Sequence, residues 1–173
     1  MLNNFQRFLI VLGFIFASIW LSYNFSPQLP QKMPVHFNAQ GKPDGYGSKK
    51  FALLSFPFSI AFLGVGYLIS SYFIREPKYW RKKSKKPLSK EQVQRLIVVG
   101  TRLIDASMIL AMLLIIDIQW ESFLVAVGKM QKLSKNIWVI IALMVGFIIY
   151  FSVQLYFISS RKEEGSSPFN QGS

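Results

Sequence analysis

The chain has 173 residues, 51% hydrophobic and 16% aromatic, with 20 Lys and Arg against 8 Asp and Glu for a formal net charge of +12. So apolar a composition, carried in runs long enough to cross a bilayer, excludes an ordinary soluble domain, and zero cysteines exclude disulfides, thiolate metal ligands and a cysteine nucleophile. The basic charge sits beside apolar segments, where cytoplasmic retention of Lys and Arg accounts for it, so no nucleic-acid partner is expected.

The first predicted span covers residues 8–25 and reads as a retained helix: only Arg7 charges its approach, and no small-residue cleavage site precedes Pro27. A second span, 51–74, carries Pro57 near its start and Gly66 and Ser70 one turn apart, a spacing that admits a close neighbour. Arg75 to Arg95 follows, with Arg75, Lys78, Arg81, Lys82, Lys83, Lys85, Lys86, Lys90 and Arg95 against only Glu76 and Glu91. The third span, 96–120, is interrupted by Arg102, Asp105 and Asp117, and the fourth, 137–158, carries no charge. The Gly/Ser-rich tail 163–173 is expected to be disordered. The positive-inside bias predicts an all-α, multi-pass plasma-membrane bundle of four helices with both termini cytoplasmic, bounded by Trp20, Tyr23, Trp120 and Trp138 at one end and Tyr72, Tyr79, Trp80 and Tyr156 at the other.

Between the first two spans the chain is dense in turn formers. Pro27, Pro30 and Pro34 favour extended backbone, so the chain should leave the first helix as a stiff segment. Alternation from Val35 to Asn38 predicts a short strand with Val35 and Phe37 on one face and His36 and Asn38 on the other. Gly41 allows a turn, Pro43-Asp44-Gly45 reads as a second one, and Ser48 is a candidate N-cap for the next helix. Irregular backbone cannot face lipid, so the segment is expected to form a compact extracytoplasmic loop over the helix ends.

The order Leu29-Pro30, Met33-Pro34, His36-Phe37-Asn38, Gly41, Pro43-Asp44, Gly47-Ser48-Lys49, followed by a span, resembles the bacterial membrane domain-of-unknown-function 1648 family, whose domain occurs in the immunity protein against the sporulation-delaying toxin. The resemblance covers about residues 18–74. It implies a multi-span plasma-membrane protein, mainly of Gram-positive bacteria, which in one member gives toxin immunity and binds a cytosolic repressor. No catalytic residues are established for the family.

The candidate ligand-binding set is therefore Pro34, His36, Asn38, Gly41, Asp44, Gly47, Ser48 and Lys49, with an extracellular peptide or toxin as the expected partner. The alternative for His36, Asn38 and Asp44 is that they hydrogen-bond the loop to itself. A single histidine without cysteine argues against a metal site, and neither a cofactor nor a catalytic constellation is expected. In the third span, Arg102 and Asp105 share a helical face and are expected to pair, with Asp105 near the midplane and Asp117 toward the outer interface. Asp105 could instead serve a small transporter or accessory subunit as a proton-linked group, and an enzyme using His36 and Asp44 is the least supported class. The Arg75 to Arg95 loop is expected to meet anionic membrane lipid and to offer an acidic cytosolic regulator a docking point.

Overall fold

The computed structural model describes residues 2–83 and 88–160, so Ser84, Lys85 and Lys86 of the basic loop and the tail 163–173 lie outside the described residues. Helix α1 (Asn4–Phe25) is followed by a 3-10 turn (Ser26–Gln28), strands β1 (Lys32–Phe37) and β2 (Pro43–Ser48), and helices α2 (Lys49–Arg75), α3 (Pro77–Lys83), α4 (Lys90–Ala126) and α5 (Asn136–Ser160). Four of these, α1, α2, α4 and α5, are long and apolar enough to cross a membrane. Local signals fix their starts: Asn3 with Gln6 and Ser89 with Gln92 form reciprocal capping boxes, and the Ser48 hydroxyl accepts from the Phe51 amide as the sequence predicts.

The observed helices overrun the predicted spans, most of all α4. Its 37 residues give about 55 Å at 1.5 Å per residue, well beyond a hydrocarbon core of about 30 Å. Helix α3 occupies part of the segment expected to be a loop; its Trp80 indole donates to the Ile74 carbonyl at 2.8 Å and lies against Gly100 of α4, where an added Cβ would fall 2.7 Å from the ring.

Cross-links between helices give their directions. Arg7 of α1 meets Asp105 of α4 and Ser18 meets Gln119, so these two helices run parallel. Val11 packs on Gly64 and Ser22 on Leu53, so α2 returns antiparallel to α1. The close approach falls at Gly64, where a Cβ would sit 2.3 Å from Val11 Cγ1; Gly66, the predicted approach point, has nothing within 4 Å. The positions are two residues apart, enough on a helix to turn from the bundle to its periphery.

Val11, Ile60, Tyr67 and Met112 fill the middle of the α1, α2 and α4 interface. Leu21, Leu29, Met33, Ala52 and Phe123 form a second apolar cluster beneath the hairpin. Helix α5 packs along α4, and Ile137 is its only buried side chain among the described residues. Phe16, Phe58, Phe62, Val139 and Ile149 stand exposed on the outside of the bundle, the inverse of a water-soluble helix bundle.

Candidate functional site

The segment between α1 and α2 is an antiparallel two-stranded hairpin, so the fold is mainly helical with one small sheet. The expected second turn at Pro43-Asp44-Gly45 is overturned, because these residues belong to β2. The reversal is complete one step earlier. Asn38 accepts from the amides of Gln40 and Lys42 through its side chain at 3.0 Å each, the Gly41 amide donates to the Asn38 carbonyl at 2.8 Å, and Gly41 adopts φ +75°. Its carbonyl then accepts from the Leu133 amide at 2.9 Å, docking the hairpin tip onto the chain between α4 and α5.

The register explains two more glycines. Pairing runs Pro34 to Tyr46, His36 to Gly45 and Phe37 to Pro43, so Val35 and then Asp44 are extra residues, each bulging its own strand. A Cβ on Gly45 would stand 2.8 Å from the His36 Cβ, and one on Gly47 would stand 3.0 Å from Val35 Cγ1. Bulging also breaks the simple alternation expected for β1: Val35 is exposed alongside His36, whereas Phe37 and Asn38 are half-buried.

Across this offset His36 Nδ1 lies 2.5 Å from Asp44 Oδ1, with the two side chains 71% and 43% exposed. Pro34 is buried under the hairpin, and Lys49 occupies the first turn of α2, its amide donating to the Gln31 carbonyl at 2.9 Å. Asn38, Gly41, Gly47 and Ser48 are thus accounted for by the backbone they build, while His36 and Asp44 form an exposed pair on a rigid support.

At the opposite end of the bundle lies a polar cluster of a different kind. Asp105 accepts from Arg7 Nε and Nη2 at 2.8 Å each and from the Tyr67 hydroxyl at 2.9 Å, joining α4, α1 and α2. The expected partner, Arg102, is exposed instead. Helical spacing puts Arg102 and Asp105 near one another, but only Asp105 faces the bundle, where Arg7 offers a planar two-pronged donor. Arg7 is three residues into α1, so Asp105 lies level with the first turn of α1 while falling near the middle of the longer α4. Three donors on one carboxylate favour a structural pair.

Nearer the hairpin, Ser18 donates to Gln119 Oε1 at 2.7 Å, Gln119 Nε2 donates to the Ser22 hydroxyl at 3.0 Å, and Ser22 donates to the Leu53 carbonyl at 3.1 Å. Leu53 is four residues before Pro57, which has no amide to give it. The Ser22 hydroxyl supplies the missing donor across the helix interface. Glu121, buried, accepts from the Ser134 amide at 2.7 Å, and Asp117 lies one turn before it with one oxygen, Oδ2, buried and unpartnered among the described residues.

Sequence reasoning missed Arg7, Ser18, Ser22, Tyr67 and Gln119 as site builders. One signal was available: a solitary arginine at the start of an apolar helix and an aspartate within another have reason to meet. Among the described residues no group of three His, Cys, Asp or Glu side chains could hold a metal ion. No curated protein and no solved structure is significantly similar to this chain. Residues 13–61, which hold most of α1, the whole hairpin and the first part of α2, match the family described as Domain of unknown function (DUF1648), and it is this segment that builds the His36 and Asp44 pair.

Proposed function

We propose that the chain is a non-catalytic, multi-pass plasma-membrane protein whose hairpin end faces outward and recognises an extracellular peptide, in the manner of a toxin-immunity protein. The observation that carries the reading is the exposed His36 and Asp44 pair on a hairpin whose tip is docked through the Gly41 carbonyl on Leu133 and whose base is closed by the Lys49 amide on Gln31. With Nδ1 turned to Asp44, His36 leaves Nε2 outside that contact and Asp44 keeps a second oxygen, which together suit the polar groups of a peptide. A surface element on a rigid scaffold is where recognition concentrates. The outward orientation draws support from Arg75, Lys78, Arg81 and Lys82, which gather at the other end.

The test is tolerance of a bacterium sensitive to a secreted peptide toxin, expressing either the intact chain or the His36→Ala/Asp44→Ala variant. Protection by the parent and its loss in the variant, at equal membrane levels, is the expected result. Protection that survives both substitutions overturns the role of the pair.

A further inference from the structure

Two clefts meet at the start of α5. One, of about 610 Å³, lies between the hairpin tip (residues 37–41) and the segment holding Lys132, Ser134 and Lys135. The other, of about 740 Å³, runs down the outside of α5 past Val139, Ala142, Gly146 and Tyr150. Lys135 and Trp138 line both, so the clefts adjoin at these two side chains.

Their chemistry differs in a directed way. The upper cleft is basic: Lys132 and Lys135 are exposed and make no ion pair among the described residues, and the acid beneath them, Glu121, is buried and engaged by the Ser134 amide. The lower cleft is apolar apart from Lys135. It is a shallow strip on one face of α5, where Ala142 and Gly146 stand one turn apart and no atom comes within 4 Å of where a Gly146 Cβ would stand. From Lys135 to Tyr150 the helix advances about 22 Å, which exceeds one leaflet of a hydrocarbon core of about 30 Å. Trp138, 54% exposed, stands between the two, and tryptophan is enriched at the headgroup level of membranes.

Two ammonium groups without an ion-pair partner among the described residues, at the head of a shallow apolar strip, complement a ligand with an anionic head and a long apolar tail. We propose that the adjoining clefts form a site for one anionic phospholipid, its phosphate between Lys132 and Lys135 and an acyl chain along Ala142 and Gly146. The proposal rests on the reading that the four long helices cross a membrane, and it is independent of the His36 and Asp44 pair.

The experiment uses the full chain with Trp20, Trp80 and Trp120 changed to Phe, leaving Trp138 as the fluorophore, in phosphatidylcholine vesicles doped with brominated phosphatidylglycerol or brominated phosphatidylcholine. The brominated phosphatidylglycerol should quench at a roughly tenfold lower fraction, the order expected of two lysines beside an anionic phosphate. Lys132→Ala/Lys135→Ala should bring the two lipids to parity while quenching by phosphatidylcholine is retained, which shows the variant still inserted. His36→Ala/Asp44→Ala should leave the preference intact. Equal quenching by both lipids in the parent would mean bulk annular lipid and overturn the site, as would a preference that survives loss of both lysines. No quenching by either would overturn the membrane reading itself.

Discussion

Pro57 leaves the Leu53 carbonyl without its helical donor, and the Ser22 hydroxyl of α1 fills the position. Losing that donor leaves a part-buried carbonyl unsatisfied, so Ser22→Ala should destabilise the folded chain by about 1–3 kcal/mol. The same change in a Pro57→Ala background should cost less, because the new amide at position 57 can reach Leu53; detergent thermal unfolding of the two single variants and the double variant reads this difference. Equal costs in both backgrounds would disprove the compensation. Arg7 is the stricter case. It is fully buried and holds both oxygens of Asp105, so Arg7→Ala strands an acid and should cost about 3–5 kcal/mol, while Arg7→Leu with Asp105→Leu should recover most of the loss. A double variant no better than Arg7→Ala would show that the pair contributes more than mutual neutralisation.

At the scale of elements, the α1 and α2 contact depends on one missing side chain. Gly64→Ala would push a methyl to 2.3 Å from Val11 Cγ1, and overpacking of this kind costs about 1–3 kcal/mol. Val11→Ala in the same chain should relieve it, and Gly66→Ala, which meets open space, should change thermal stability by no more than about 0.5 kcal/mol. A Gly66 variant as damaging as the Gly64 variant would contradict this packing. The hairpin shows the same economy of space: a Cβ on Gly45 would stand too close to the His36 Cβ, and one on Gly47 would require the Val35 side chain to give. Reading Pro43-Asp44-Gly45 as a turn was reasonable on composition; the glycine belongs there because of what stands opposite, which only strand register reveals.

For the molecule as a whole, the hairpin tip and the segment between α4 and α5 sit at one end, and α3, the start of α1 and the tip of α5 sit at the other, where Gln92 Nε2 donates to the Ile158 carbonyl. The cysteine-free chain makes orientation directly measurable. Lys42→Cys at the hairpin and Lys78→Cys on α3 are exposed reporters for a membrane-impermeant thiol reagent on intact cells. Labelling at position 42 alone is the expected outcome; labelling at position 78 alone would turn the hairpin inward and remove the extracellular-peptide reading.

The existence and order of the four long helices were legible in the sequence because long apolar runs are a local property of the chain, and the Ser48 cap and the extended start of the hairpin followed from equally local chemistry. Which polar groups meet was not. Helical spacing alone pairs Asp105 with Arg102, yet the carboxylate turns to Arg7 and Tyr67, residues 98 and 38 positions away, because a buried charge takes the donors that packing brings to it. The Ser22 donor to Leu53, the docking of Gly41 on Leu133 and the cleft between the hairpin tip and Lys132 to Lys135 have the same origin. Each is a relation between distant segments, fixed by how the helices pack and by no pattern within any one of them.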